Sequence, residues 1–180
     1  PQRRRRVFIV GSRDGTRFTF PPAMYGSNNG VDLSKKDHVT AGEAIGDLDD
    51  GNALEDEKVQ GKWGHLLPLI PVGENYLHLT GRKGWPNPVF EWRSRYWSFL
   101  LKLSPHEPSW TIQARPGPYT GPFHWANRRL RIHEIKRLQG FPDEWRFFGQ
   151  RKAVWAQIGD ATPPPIVRAL GEAIIEQILK

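Results

Sequence analysis

The sequence predicts a mixed α/β chain in which a small β-rich module is carried between two flanks of strand and helix. Three observations lead there. The apolar run at residues 7–10, closed by Gly11, reads as the core of a buried strand over residues 2–10. Residues 58–127 are dense in Gly, Pro and Trp and hold only short strand-like pieces. Residues 163–180 open on prolines and repeat apolar side chains at Ile166, Leu170, Ile174 and Ile178, the spacing of an amphipathic helix that needs a partner surface.

With 180 residues the chain suits one compact domain or two small ones. Its uncharged apolar runs fall far short of the ~20 residues of a membrane span. It has no cysteine, which excludes disulfides, cysteine–zinc sites and a thiol nucleophile from these residues, and which fits a reducing, cytoplasmic setting. Charge is unevenly placed. Residues 1–36 hold 8 basic and 2 acidic residues, and residues 37–57 hold 8 acidic and no basic ones. Residues 82–152 hold 14 basic against 5 acidic residues, together with 14 of the 21 aromatics. Cations attract phosphate, while aromatic faces stack on bases or build a core; composition leaves both open.

The elements follow in order. On a strand over 2–10, Gln2, Arg4 and Arg6 share one face, with Arg3 and Arg5 on the other. Two guanidiniums on one face suit a phosphate or a carbonyl oxygen; a solvated charge run is the alternative. Turn formers fill residues 26–30. Thr40 and Glu43 have capping-box spacing and predict a helix over 41–48. The acidic, glycine-punctuated stretch 46–57 reads as a solvated linker. Strand pieces are expected at 89–92, 97–103 and 110–114, separated by Gly/Pro turns. Residues 132–139 predict a helix with Gly140 as its C-cap and Pro142 just beyond. Residues 157–163 read as a small-residue turn entering the last helix, a place where backbone N–H groups can meet a ligand. The six histidines lack metal-ligand spacing.

Taken together, residues 1–11 (PQRRRRVFIVG), Arg129-Leu130 through 137–143 (RLQGFPD) and 157–164 (QIGDATPP) resemble the eighth, ninth and tenth motif blocks of the DNA (cytosine-5)-methyltransferases. Thr111-Ile112 is similar to the Thr-Leu/Ile pair of that family's target-recognition domain. The resemblance covers the whole chain. It implies that 1–48 and 157–180 are parts of an S-adenosyl-L-methionine (AdoMet)-dependent α/β methyltransferase domain flanking a small β-rich target-recognition domain over 49–156. In such enzymes a cytosine is flipped out of double-stranded DNA, a cysteine adds to C6, a glutamate assists at N3, and C5 takes the methyl group.

By the same resemblance Arg6 meets the O2 of the flipped cytosine, and Arg4 supports the nucleophile loop and the base. Asp160, Ala161 and Thr162 line the AdoMet pocket, with Asp160 standing where the family usually has Asn. Arg82, Lys83, Arg93, Arg95, Thr111 and Arg115 are the candidate DNA-binding residues, some for bases and some for phosphates. Arg131 stands where a capping Ser/Thr is usual. The Pro-Cys nucleophile, the FxGxG loop and the Glu-Asn-Val block are not in these residues. A catalytic N-terminal fragment or subunit is therefore the expected partner, with AdoMet bound mainly there. The chain begins at Pro1 inside a motif, as expected of an excised piece or the smaller subunit of a split enzyme. A DNA-binding module without catalysis, or a purely structural partner of a catalytic subunit, are the alternatives.

Overall fold

The computed structural model describes residues 1–26 and 35–179. The turn formers at 27–30 lie outside them. The regular elements are β1 (Gln2–Arg3), α1 (Ala41–Ile45), β2 (Ser109–Trp110), α2 (Ile132–Gln139), α3 (Arg151–Asp160) and α4 (Pro164–Gln177). Short 3-10 turns fill much of the interval between α1 and β2.

α1 starts where its capping box stands. The Thr40 hydroxyl accepts from Glu43 N–H at 3.1 Å, and the Glu43 carboxylate accepts from Thr40 N–H at 2.7 Å. The expected helix over 41–48 is an α-helix to Ile45 and a 3-10 turn over Gly46–Leu48. α2 covers its expected residues and ends at Gly140 in the left-handed region (φ 89°), which glycine enters without a Cβ clash. Arg131 supplies no side-chain cap to α2. Glu134 caps the helix instead, accepting from Arg131 N–H at 2.6 Å.

Two apolar clusters form the interior. One joins Leu66, Leu67, Ile70, Tyr76, Leu79, Phe90, Phe99, Leu100 and Phe123, with Trp63, Trp85 and Trp92 packed around it. Its rings meet edge to face: Tyr76, Phe90 and Phe99 have centroids 5.6–5.8 Å apart. The Tyr76 hydroxyl is satisfied, donating to Arg95 O at 2.5 Å. The second cluster packs α1 on α2 and α2 on α3, through Ala41, Ile45, Leu130, Ile135, Leu138, Val154 and Ile158, closed by Leu103 and Ile112.

Four expectations are corrected. The strand over 2–10 is only Gln2–Arg3, paired in parallel with Ser109–Trp110. A strand persists only as far as a neighbour answers its backbone, and β2 offers two residues; Val7 and Ile9 are 88% and 93% exposed. The module over 58–127 is not β-rich: the pieces expected at 89–92 and 97–103 appear as single bridges (Thr80 to Phe90, Phe99 to Thr120, Lys102 to Phe123) among 3-10 turns. Frequent Gly and Pro break the ladders, and side-chain packing holds the loops instead. The turn expected at 157–163 begins later, because residues to Asp160 complete α3.

The acidic stretch 46–57 is not a free linker. Asp47 pairs with Arg137 at 2.6 Å, Asp50 with Arg131 at 3.1 Å, Glu57 with Arg131 at 2.7 Å and Asp56 with Arg151 at 2.8 Å. It lies as a strap along α2 and across the start of α3. Beneath it Arg128 and Glu134, both fully buried, form a two-pronged pair at 2.9 and 2.7 Å.

Glu134→Ala strands the Arg128 charge and removes the α2 cap, so it lowers unfolding free energy by about 3–5 kcal/mol. A urea midpoint within error of wild type would contradict this.

His124 is also buried. Its Nδ1 accepts from Ala126 N–H at 3.1 Å, so Nε2 carries the proton. Burial pulls its pKa down from 6.5 to about 4, against the pull of Glu134. The unfolded chain therefore takes this proton first, and stability falls as pH drops from about 6.5 to about 4. Asp49 and Glu57 act lower. Burial opposes ionisation of both, but the Trp125 N–H on Asp49 and Arg131 on Glu57 hold them below the ordinary carboxylate range. Urea unfolding across this range reads the slope, and His124→Gln flattens its upper part.

Candidate functional site

β1 is short, but it sets a register. Gln2 pairs opposite Ser109 and Arg3 opposite Trp110, which carries Arg4 alongside Ile112. Arg4 turns inward and donates to Gly159 O at 2.8 Å and Ile112 O at 3.4 Å. Burial and the Arg6 charge both lower its pKa, against the nearby Asp160. One guanidinium thus joins the N-terminal segment, the loop after β2 and the last turn of α3. Gly159 permits the contact: a Cβ there would stand 2.4 Å from Ala114 Cα. The Thr111 hydroxyl adds a second tie, donating to Arg3 O at 2.9 Å.

Arg4 lines a cleft of about 440 Å³ with Gln2, Tyr25, Gln139 and Pro163. Among the described residues, both amide atoms of Gln2, the Arg4 Nε and the Gln139 Oε1 are buried without a hydrogen-bond partner. Buried polar atoms left unpaired are costly, so they mark a surface shaped for further contacts. Gln139 donates to Ala161 O at 2.6 Å, fixing the turn between α3 and α4. Asp160 ends α3 in the open, its carboxylate 3.2 Å from Arg115. Thr162 is half-buried, next to the buried Pro163. Gln2 and Arg4 share this cleft, but Arg6 does not line it. Arg6 is exposed and donates to Arg5 O at 2.8 Å.

The other candidate residues fall into two groups. Lys83, Arg93 and Arg95 line a pocket of about 470 Å³ with Trp92 and Trp97, and Arg82 lies over the Trp92 ring at 4.9 Å. Arg93 stands in the left-handed region (φ 57°), uncommon for a residue with a side chain. Lys83 faces Glu74 at 3.6 Å. Arg95 is anchored through its backbone, which clasps the Tyr76 hydroxyl from both sides. Thr111 and Arg115 belong instead to the segment beside Arg3 and Asp160. Sequence reasoning passed over α3, though Val154, Trp155 and Ile158 have helical spacing, and with it Arg151 and Lys152 at its start.

The profile of the C-5 cytosine-specific DNA methylases matches residues 1–176. The chain belongs to that family. It is 42% identical over 99% of its length to the type II methyltransferase M.SacI of Streptomyces achromogenes, covering 49% of that protein. To M.NgoFVII of Neisseria gonorrhoeae it is 36% identical over 97% of its length, covering 46% of that enzyme. To the DNA (cytosine-5-)-methyltransferase M.ApeKI of Aeropyrum pernix it is 34% identical over 61% of its length. The chain thus spans about half the length of the first two. Among the described residues of this methylase chain, no helix is long and apolar enough to cross a membrane.

Gly159→Ala forces α3 away from residues 113–114, whose backbone atoms cannot step aside, and destabilises the chain by about 1–3 kcal/mol. Unfolding in urea measures it; an unchanged midpoint would mean that α3 does not seat this closely.

Proposed function

We propose that this chain reads DNA and completes the active site of a DNA (cytosine-5)-methyltransferase whose nucleophile lies in the other half of the enzyme. The observation that carries this reading is the Arg4 junction. It joins the eighth-block segment to the tenth block and to the Thr111-Ile112 pair, both more than a hundred residues away, through Gly159 O at 2.8 Å and Ile112 O at 3.4 Å. Residues 1–48 and 157–180 serve the catalytic domain, and 49–156 the recognition domain. The other half supplies the cysteine that attacks C6 and the glutamate at N3, since no cysteine exists here.

Arg6 has the role nearest the chemistry. Among the described residues a single hydrogen bond engages its guanidinium, so donors remain for the O2 of a flipped cytosine. A preorganised donor there stabilises charge moving onto the ring carbonyl during attack at C6. Arg4 is a positioning residue: it holds the segment that leads to Arg6 against α3. The turn after α3 fits AdoMet in its donor set. Asp160 offers a carboxylate and Thr162 a hydroxyl, while Gln139 ties the Ala161 carbonyl inward. AdoMet supplies the methyl group when bound. Arg82, Lys83, Arg93, Arg95, Thr111 and Arg115 face the duplex, and the Arg115–Asp160 pair sets that surface next to the cofactor turn.

Three measurements test the reading. The pure chain transfers no labelled methyl group to DNA; transfer by the 180-residue chain alone would sink the proposal. In the assembled enzyme, Arg6→Ala lowers turnover by roughly 10²–10³ while duplex affinity stays nearly intact. Arg5→Ala is milder, and equal damage from the two variants would remove the role assigned to Arg6. Duplex affinity falls steeply with salt, because 14 basic residues crowd positions 82–152; a flat salt response would turn that surface away from DNA.

A further inference from the structure

The cavity beside the start of α3 lies apart from the Arg4 cleft. It has a volume of about 740 Å³, and its walls include Asp56, Arg115, Arg129, Arg151, Lys152 and Trp155. Four cations thus face one carboxylate. We propose that this cavity holds a backbone phosphate of the DNA duplex, gripped by Arg129 and Lys152 and bordered by Arg115 and Arg151. The proposal rests on the DNA-binding reading above and adds to it a site that carries no sequence information.

The cations are not all matched inside the chain. Arg151 pairs with Asp56 at 2.8 Å, and Arg115 reaches out to Asp160 at 3.2 Å. Arg129 meets no carboxylate: it donates to Pro118 O at 2.8 Å and lies over the Phe123 ring at 5.9 Å. The Lys152 side chain is exposed, and among the described residues no hydrogen bond or ion pair engages it. Burial and the neighbouring Arg151 charge both push the Arg129 pKa down, so two guanidiniums here repel each other. An anion between them relieves that repulsion, and the guanidinium fork matches two phosphate oxygens.

Place argues for a phosphate of the polymer. One wall is the 114–118 segment that carries Arg115, and the other is α3, which ends in Asp160. The Trp155 indole N–H is spent on Gln113 O at 2.8 Å, which pins α3 to that segment. A phosphate seated here fixes the duplex at once against the recognition segment and the helix leading to the cofactor turn. Contacts of this kind set register and leave sequence choice to other residues.

The test uses the full chain and two duplexes, one carrying the enzyme's methylation site and one of mixed sequence, titrated from low to moderate salt. Lys152→Gln and Arg129→Gln each weaken both duplexes several-fold and equally, and each lowers the slope of log affinity against log salt by about 0.9. The Lys152 side chain is exposed, so its variant keeps the fold even if Arg129→Gln does not. Arg168→Gln, which removes a cation already paired with Glu172 at 2.8 Å, leaves the slope unchanged. An unchanged slope in Lys152→Gln overturns the phosphate site while the DNA reading stands; so does weakening confined to the methylation-site duplex. Inorganic phosphate displaces the duplex no better than chloride at equal ionic strength. Preferential displacement that disappears in Lys152→Gln assigns the pocket to a free phosphate and overturns the polymer assignment. Wild-type chain that binds neither duplex at any salt overturns the DNA reading itself.

Discussion

Arg128 and Glu134 meet where water cannot reach, and the arrangement around them follows from that pair. A buried charge is tolerated only with a partner that meets it directly. Glu134 meets this by spending one oxygen on both Arg128 and Arg131 N–H, and the other on Arg128 alone. Capping α2 in this way frees the Arg131 side chain, which reaches across to Glu57 and Asp50. The acidic strap is thereby fastened, and Asp47 and Asp56 extend it to Arg137 and Arg151. Seven charged side chains thus hold α2 and α3 together at one edge, while the apolar cluster of Ile45, Leu130, Ile135 and Ile158 holds them at the other.

This division of labour leaves particular cations free. The arginines of 128–137 are largely consumed by the strap, so a count of basic residues overstates the charge available to a polyanion. Among the cations left unspent are Arg93 and Arg95 in the pocket with its tryptophans, and Arg129 and Lys152 at the α3 cavity. Composition could not separate spent from unspent charge, because that depends on which acidic residues the fold brings near.

What was legible in the sequence was local. The Thr40–Glu43 box, the Ile132–Gln139 helix and its Gly140 cap depend on residues within a turn of one another, and each stands where its spacing put it. The acidic strap was misread because its partners lie about 75–95 positions away. The strand over 2–10 was overextended for a related reason: an apolar run states a capacity to pair, while length is decided by the neighbour. α3 went unnoticed because its small residues near Gly159 mask a helix whose tight seating requires them. At the site, the grouping of Gln2 with Arg4 was readable from alternation, but the presence of Arg3 in the same cleft was not, because alternation puts it on the other face. The place of Arg6 outside their cleft was not readable either, since it depends on where the strand ends.

The exposed apolar side chains give the proposed division of the enzyme its physical sense. Val7, Ile9, Phe20, Met24, Val167 and Ile175 all lie open on the N-terminal segment or on α4, whose one buried residue is Ala173, and Leu179 lies open just beyond α4. The two segments are joined: the Gln177 amide exchanges hydrogen bonds with both backbone groups of Thr19 at 2.9 and 3.0 Å. Apolar surface on adjoining segments favours burial against a common partner. On the reading proposed here that partner is the catalytic half, which would extend β1 along residues 4–10 and cover α4. Docking would then finish the strand that carries Arg6, and the residue nearest the chemistry would take its working position only when the nucleophile is also present.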